Sequence, residues 1–280
     1  MVNYNGKLAD KDAYYLNSRN RGFLYGDALF ETLRVVNGKI IFWEEHYLRL
    51  MSSMRILRME IPMNFTMEYL EEEILRLFTE EDTNKTARIR ITVFRNDGGY
   101  YKPQSNDVSY LISAENLEDA FYILNEGSYE VELFKDFTVS KNMLSNLKTT
   151  NRILNVVGSI YANENGYDNC LLLNDTKSVV EALNGNIFLV KDKVLKTPPL
   201  EDGCLRGIIR KKILDILNKI DGYECVEKSI SPFELQQADE IFITNSIQGI
   251  RPISKYRKKT YDTVMAKDIL GKLNAAARFN

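Results

Sequence analysis

Lys148 is the side chain in this sequence whose surroundings point most directly to chemistry. It lies in "SNLKTTN", residues 145–151, and no acidic residue occurs between Asn142 and Asn151. An ammonium group among apolar residues, without a carboxylate nearby in the chain, more readily becomes the neutral and nucleophilic amine. The segment therefore predicts a lysine that can form a Schiff base. A solvated lysine that precedes a helix would give the same local pattern.

Other residues supply the groups that a phosphorylated cofactor needs. Glu181 ends the apolar run in "VVEALNGNIFLV", where a carboxylate either caps a strand or pairs with a ring nitrogen. Gly207 opens an apolar-periodic helix, whose N-terminus offers N–H groups and a positive dipole end. Arg49 in "EEHYLRL" and Ser246 in "ITNSIQGI" could also bind phosphate, or be ordinary surface residues. An amine, an acid and three phosphate donors are the equipment of a pyridoxal phosphate site.

Composition argues against other kinds of site. His46 is the single histidine, so a histidine-rich metal centre is excluded and no metal is expected. The 37 basic residues balance 39 acidic residues, and no net charge favours nucleic acid or an anionic membrane. The longest apolar run, 120–124, is far shorter than the roughly 18 residues of a membrane span. The first ten residues lack the pattern of a secretory signal, so we expect a cytoplasmic enzyme.

The elements that position these residues fall into two halves. In the first, Asn37-Gly38 predicts a hairpin turn, and helical periodicity covers 44–59 and 66–82 before two alternating strands. The second half combines predicted strands with helices at about 151–164 and 207–220 and near 231–238. We therefore predict a small α+β domain over 1–117, a linker over 118–125 and a large domain over 126–280.

In order and spacing, these stretches resemble the class IV aminotransferases. This family contains the fold-type IV pyridoxal phosphate enzymes, including branched-chain and D-amino-acid aminotransferases and aminodeoxychorismate lyase. The matching stretches are "RGFLYGDALFETLRVVNGKI", "EEHYLRL", "LKTTNRI", "VVEALNGNIFLV", "LKTPPLEDGCLRGIIR" and "ITNSIQGIRPI". The resemblance implies an α/β (α+β) fold in which a small α+β domain joins a larger barrel-like α/β domain. It also implies a cofactor bound between the domains and a homodimer that completes the pocket.

The resemblance further implies roles for individual residues. Lys148 resembles the catalytic lysine that forms a Schiff base with pyridoxal 5'-phosphate, and Glu181 resembles the acid that keeps the pyridine nitrogen protonated. The positions that match the family's phosphate-binding residues are Arg49, Gly207, Ile208, Ile209 and Ser246. Two positions depart from the family's pattern. Ile209 stands where Thr or Ser is frequent, and Lys141 stands where Arg is frequent.

Substrate binding is expected in the first half of the chain. Alternation in "LFETLRV" places Phe30, Thr32 and Arg34 on one face, which in this family points into the site, with Tyr25 just upstream. "ARIRITVF" similarly groups Arg90 with Arg88, Thr92 and Phe94. Either Arg34 or Arg90 is expected to bind a substrate carboxylate, unless they are ordinary strand partners. The loop "FRNDGGYYKP" could close on the substrate.

Three functional hypotheses follow from the resemblance. The leading one is transamination of an α-amino acid with a 2-oxo acid acceptor, because "FETLRV" is more similar to aminotransferases. The second is the lyase reaction that converts aminodeoxychorismate to 4-aminobenzoate and pyruvate. The third is a protein that binds the cofactor without turnover, which an intact Lys148 and Glu181 disfavour. Substrate chirality stays open at this point.

Overall fold

A computed structural model of the chain describes residues 1–12, 16–80 and 85–279. The chain separates into two compact units. Unit 1 comprises Met1–Phe121 and Lys148–Asn151, and unit 2 comprises Tyr122–Leu147 and Arg152–Asn280. The predicted boundaries place 148–151 in the second domain, whereas the structure groups them with unit 1. The reason is long-range backbone pairing, since the Thr150 N–H donates to the Ala28 carbonyl at 3.0 Å.

Unit 1 is built on an antiparallel sheet. Its strands are β1 (Val2–Tyr4), β2 (Lys7–Ala9), β3 (Ala28–Val36), β4 (Lys39–Ile40), β5 (Thr86–Arg95) and β6 (Val108–Asn116), in the order β2-β1-β6-β5-β3-β4. Its helices are α1 (Arg21–Tyr25), α2 (Trp43–Ile56) and α3 (Met67–Glu80). The predicted hairpin is confirmed, because Asn37 and Gly38 have φ values of 48° and 75° between β3 and β4. The two predicted helices are confirmed as α2 and α3, and residues 81–82 of the second prediction lie outside the described residues.

The sheet of unit 1 has an apolar face and a polar face at its centre. Helix α2 packs against β3 and helix α3 against β6. Leu33 and Val35 of β3 and Ile89 and Ile91 of β5 are completely buried. Because side chains alternate along a strand, the residues between these positions point to the opposite face. That second face carries the polar residues described below.

Unit 2 is built on a mixed sheet. Its strands are β7 (Glu130–Val139), β8 (Asn169–Asn174), β9 (Val179–Ala182), β10 (Gly185–Lys191), β11 (Val194–Thr197), β12 (Glu224–Glu227), β13 (Glu240–Asn245), β14 (Gly249–Pro252), β15 (Lys255–Tyr256) and β16 (Lys259–Thr260). They follow the order β12-β11-β10-β9-β8-β7-β15-β16, and β13 pairs with both β10 and β14. Its helices are α4 (Ile153–Glu164), α5 (Ile208–Leu217), α6 (Pro232–Gln237) and α7 (Val264–Arg278), and short 3₁₀ helices span Met143–Asn146 and Leu200–Asp202.

The predicted helices of the second half are confirmed as α4, α5 and α6. Ser231 begins α6 with a capping box in which the Glu234 carboxylate accepts the Ser231 N–H. The C-terminal helix α7 was not predicted from the sequence. Sheets and helices in both units confirm the predicted α/β (α+β) class. Within the described ranges, no helix has the length and apolar character needed to cross a membrane.

Candidate active site

Lys148 lies beside the start of strand β3 in unit 1. Its carbonyl oxygen accepts the N–H of Phe30 at 2.8 Å, and Thr150 donates to Ala28 two residues further on. These hydrogen bonds hold the lysine segment as a short extension of the sheet. The Lys148 Nζ atom lies 4.4 Å from the centroid of the Phe30 ring. A cation at this distance is attracted to the face of the ring, so the amine has a defined position.

Gly26 anchors the same segment. Its carbonyl accepts hydrogen bonds from the Thr150 hydroxyl at 3.2 Å and from the Asn151 amide at 3.0 Å. Gly26 has a φ of 62°, and a Cβ there would lie 2.3 Å from Asn151 Oδ1. Both the backbone conformation and the close approach require glycine. The "YGDALF" stretch, residues 25–30, therefore positions Lys148 although the two are far apart in the chain.

A polar face on β3 and β5 adjoins the lysine segment. Phe30 is opposite Thr92 and Thr32 is opposite Arg90, so these four side chains share one face, which confirms the predicted alternation. The Arg90 guanidinium carbon lies 3.9 Å from the Phe30 ring centroid, and its Nε donates to Thr92 Oγ1 at 3.3 Å. Lys148 and Arg90 thus both contact Phe30. Together with Thr32, they form a cationic surface that suits a carboxylate.

Arg34 lies on the same face, but its guanidinium is hydrogen-bonded to the backbone. It is buried and donates to the backbone carbonyls of Asp119 and, at 3.4 Å, Phe121. These bonds hold the chain that follows β6. The geometry therefore favours Arg90 over Arg34 as a carboxylate ligand.

Tyr25 ends helix α1 and lies against the glycine-containing loop after β5. Its ring centroid is 5.7 Å from that of Tyr101, and the Arg21 guanidinium lies 5.0 Å from the Tyr25 ring. Arg21 is buried, and it donates to the carbonyls of Gly98, at 3.1 Å, and Tyr100. Arg21 consequently fixes the position of the loop relative to Tyr25.

Arg49, the predicted phosphate ligand of unit 1, is held by a buried acid. Its Nε and one terminal nitrogen donate to the two oxygens of Glu31 at 2.7 and 2.6 Å, and His46 Nδ1 lies 2.7 Å from Glu31 Oε2. Burial disfavours the Glu31 carboxylate, but Arg49 and His46 outweigh it and lower the pKa of Glu31 to about 2. Burial also lowers the pKa of His46 although Glu31 acts to raise it, so the imidazole is neutral at pH 7 and donates from Nδ1.

Sequence reasoning missed Glu31. A signal was present, because Glu31 is an acid on the apolar face of β3 between Leu29 and Leu33. His46 and Arg49 follow one helical turn apart on the next element. A carboxylate placed in a core face needs buried cationic or hydrogen-bonding partners, and this pair supplies both.

In unit 2, three polar side chains form a row across neighbouring strands. Glu181 of β9 is opposite Asn186 of β10, and Asn186 is opposite Thr244 of β13. Directly opposite residues in antiparallel strands share a face. Glu181 Oε2 accepts the Leu205 N–H at 2.8 Å, and the Asn186 amide donates to the Leu205 carbonyl at 2.8 Å. The loop that precedes Gly207 is thus fastened to this row.

The row and the N-terminus of α5 fit a phosphate group. Gly207 is the N-cap of α5, and a Cβ at this position would lie 1.9 Å from Asn186 Oδ1. A larger residue at this position would displace the Asn186 amide, which is hydrogen-bonded to Leu205. Thr244 Oγ1 is buried and has no hydrogen-bond partner in the described part of the chain. Thr244 is opposite Asn186, whose side chain adjoins Gly207 at the start of α5. An unsatisfied buried hydroxyl and a helix N-terminus in the same part of the sheet fit an anionic ligand, and Glu181 is a carboxylate of the kind that pairs with a pyridine nitrogen.

The remaining residues predicted in unit 2 lie in the first turn of α5, in the turn after β13 and in the loop after β7. Ile208 and Ile209 are buried in the first turn of α5, where Ile209 contributes an N–H and no hydroxyl. Ser246 lies in the turn between β13 and β14, and its carbonyl accepts the Tyr122 hydroxyl at 3.2 Å. Lys141 forms an ion pair with the buried Asp202 at 3.3 Å. The functional roles assigned to these residues from the sequence stay predictions.

Comparisons with family models, curated proteins and solved structures all point to the same family. Residues 28–256 match the family model described as amino-transferase class IV. The "Putative branched-chain-amino-acid aminotransferase" of Methanocaldococcus jannaschii is 30% identical over 272 residues, which are 96% of this chain and 92% of that protein. The aminodeoxychorismate lyase of Vibrio harveyi is 25% identical over 84% of this chain and 85% of its own length. The structure of a branched-chain aminotransferase from Thermoproteus uzoniensis with norvaline has a TM-score of 0.86 at 25% identity, covering 97% of this chain and 92% of that one.

Proposed function

The chain belongs to the class IV aminotransferase family, and on this premise we propose that it transfers the amino group of an α-amino acid to a 2-oxo acid. The expected family membership is therefore confirmed, and this family uses pyridoxal 5'-phosphate. The observation that carries the proposal is the fixed amine of Lys148. Its Nζ lies 4.4 Å from the Phe30 ring, beside the cationic Arg90 on one sheet face.

The cofactor-binding roles are assigned by donor chemistry. Lys148 Nζ would hold the cofactor through its aldehyde carbon, and the Glu181 carboxylate would pair with the ring nitrogen. The Ile208 and Ile209 N–H groups and the Thr244 hydroxyl would bind the phosphate. Arg49 and Ser246, which match the family's phosphate positions, complete the set. When bound, pyridoxal phosphate supplies a protonated ring that withdraws electrons from the substrate Cα.

The side chains of this protein then hold and move the proton. The Glu181 carboxylate would keep the ring nitrogen protonated, and the Leu205 N–H holds one carboxylate oxygen of Glu181 in place at 2.8 Å. Once the substrate amine has displaced it from the cofactor, the freed Lys148 Nζ would take the proton from the substrate Cα and pass it to the former aldehyde carbon of the cofactor. With the 2-oxo acid, the same amine would move a proton in the reverse direction. Glu31 fixes the Arg49 guanidinium by two hydrogen bonds, so that no reorientation is needed when an anion binds.

Substrate recognition is assigned to unit 1. Arg90 binds the carboxylate that every α-amino acid carries, and Phe30 and Thr32 contact the rest of the substrate. Tyr25 borders the site from helix α1. Arg34 positions the chain after β6 through its bonds to backbone carbonyls.

A second candidate function is the release of 4-aminobenzoate and pyruvate from aminodeoxychorismate. It is favoured by the 25% identity with the Vibrio harveyi lyase over 84% of this chain. The same amine, acid and phosphate donors would serve that reaction, so the distinction rests on the substrate face.

An assay with purified protein separates these functions. The protein is incubated with pyridoxal phosphate, a panel of L- and D-amino acids and 2-oxoglutarate, and the 2-oxo acids and glutamate formed are quantified. We expect amino transfer that depends on the acceptor. Pyruvate released from aminodeoxychorismate without an acceptor would support the lyase, and binding of the cofactor without either product would refute both.

A further inference from the structure

The loop between β5 and β6, residues 96–107, is held by the side chain of one arginine. We call this segment the tyrosine loop. Arg21 is buried, and its two terminal nitrogens donate to four consecutive backbone carbonyls of the loop. The acceptors are Gly98 at 3.1 Å, Gly99 at 3.5 Å, Tyr100, and Tyr101 at 3.4 Å. Because these oxygens all converge on one planar cation, the loop has a defined shape.

Two glycines make this convergence possible. Gly98 and Gly99 have φ values of 114° and 75°, a region that favours glycine. A Cβ at Gly99 would also lie 2.2 Å from the Lys102 carbonyl oxygen. The backbone oxygens of the loop turn inward to Arg21, while its two tyrosine side chains lie in solvent. Tyr100 is 85% exposed and Tyr101 is 90% exposed.

Asp27 joins the anchor of the tyrosine loop to the anchor of the lysine segment. Its Oδ2 atom accepts the Nε–H groups of Arg21 and Arg95, each at 2.9 Å. Asp27 directly follows Gly26, whose carbonyl holds the lysine segment through two hydrogen bonds. The position of the tyrosine loop is therefore tied, through one carboxylate, to the turn that positions Lys148.

The tyrosine loop begins at the same end of the sheet as the lysine segment. Phe94, two residues before the loop, is opposite Ala28 on one side of β3. The Ala28 carbonyl accepts the Thr150 N–H on the other side. Neighbouring strands are about 4.8 Å apart, so roughly 10 Å separate the backbone of the lysine segment from the backbone at which the loop begins.

Tyr101 packs beside Tyr25, one of the residues predicted to contact the substrate. The two ring centroids are 5.7 Å apart and the ring planes are tilted by 54°, an attractive arrangement of aromatic rings. The Arg21 guanidinium lies 5.0 Å from the Tyr25 ring, so it contacts both the loop and the ring against which Tyr101 packs. Together the two rings form an aromatic surface, which favours apolar and aromatic groups.

We propose that Arg21 is a positioning residue for amino transfer, because it places Tyr101 beside Tyr25 so that the two rings select donors with an aromatic or large aliphatic side chain. This inference rests on the proposed function. It adds a contact for the donor's side chain to the carboxylate contact assigned to Arg90. Arg21 acts through the loop, so its loss should weaken binding of large donors and leave the chemical step intact. Alanine, whose methyl group is too short to cover the rings, should be little affected.

Steady-state kinetics with 2-oxoglutarate and either phenylalanine or alanine as donor test the proposal. In Arg21→Met and in Tyr101→Ala, KM for phenylalanine should rise at least about 10-fold, whereas KM for alanine and both kcat values should change less than about twofold. Arg21→Lys should give an intermediate KM for phenylalanine, because an ammonium has three N–H donors for the five contacts that Arg21 makes.

The matched control is Arg76→Met. Arg76 also donates to a glycine carbonyl of unit 1, that of Gly6 at 2.6 Å, but it lies on helix α3. Its loss should leave KM for both donors unchanged. Circular dichroism checks that the variants fold, and Tyr101→Ala covers the case in which Arg21→Met does not, because the Tyr101 side chain lies in solvent.

Three results would count against the inference. KM values that rise equally for both donors, or for neither, in the folded variants would overturn it and leave amino transfer standing. A wild-type protein with a higher kcat/KM for alanine than for phenylalanine would also overturn it alone. A wild-type protein that transfers the amino group of no donor would refute the proposed function, and the inference with it.

Discussion

Glu31→Gln is the substitution that tests the buried acid of unit 1. The Glu31 carboxylate accepts two hydrogen bonds from Arg49 and one from His46 inside the core. Lowering its pKa from 4.5 to about 2 corresponds to roughly 3 kcal/mol of preference for the charged form in the folded protein. Loss of one partner from a buried ion pair typically costs about 3–5 kcal/mol. We therefore expect the free energy of unfolding at pH 7 to fall by about 3 kcal/mol.

Urea denaturation followed by tryptophan fluorescence measures this change. Trp43 is the single tryptophan of the chain, and it is buried at the start of α2, the helix that carries His46 and Arg49. The matched control is Glu115→Gln. Glu115 pairs with Arg88 at 3.4 Å but is 70% exposed, so its loss should cost less than about 1 kcal/mol. If Glu31→Gln lowers the free energy of unfolding no more than Glu115→Gln does, the buried Glu31–Arg49 pair does not stabilise the fold as its geometry indicates.

Three further predictions concern His46 beside Glu31, the proposed phosphate contact at Gly207 and the proposed carboxylate contact of Arg90. Burial lowers the folded-state pKa of His46 from 6.5, so the free energy of unfolding should fall as the pH drops below 6.5. In His46→Gln, the free energy of unfolding measured with urea should depend less on pH between about 6.5 and 5. An unchanged slope would refute the neutral buried imidazole. Gly207→Ala places a methyl group 1.9 Å from Asn186 Oδ1 and should weaken pyridoxal phosphate binding at least about 10-fold in a spectral titration, whereas Gly271→Ala, with no atom within 4 Å, should not. Arg90→Lys removes the forked contact proposed for the substrate carboxylate and should raise KM for the amino donor roughly 10-fold in steady-state kinetics. If Arg34→Lys raises KM instead, the assignment of the carboxylate to Arg90 is wrong.

Local signals in the sequence were enough for much of unit 1. The Asn37-Gly38 turn was predictable because both central residues of such a turn have positive φ values, which these two residue types tolerate. Strict alternation grouped Phe30 with Thr32 along one strand and Arg90 with Thr92 along the other. The pairing register of the structure places the two groups on one face. In unit 2, Gly207 was found because a helix start after a loop has a recognisable pattern.

Features that depend on distant parts of the chain were not predictable in this way. The lysine segment pairs with β3 more than 100 residues earlier in the chain, so sequence position assigned it to the other domain. The role of Glu31 depends on α2 packing against β3. For α4, periodicity predicted a helix, but Gly158 and Ala162 form the buried side, and residue size gave no sign that Val156 and Ile160 face outward.

The central claim is that Lys148 binds the cofactor covalently. Borohydride reduction of the protein loaded with pyridoxal phosphate, followed by mass spectrometry of its peptides, tests this claim directly. We predict one phosphopyridoxyl group, on Lys148, and loss of both the visible absorption and the activity in Lys148→Ala. An adduct on another residue such as Lys141, with Lys148 unmodified, or full turnover by Lys148→Ala, would contradict the claim.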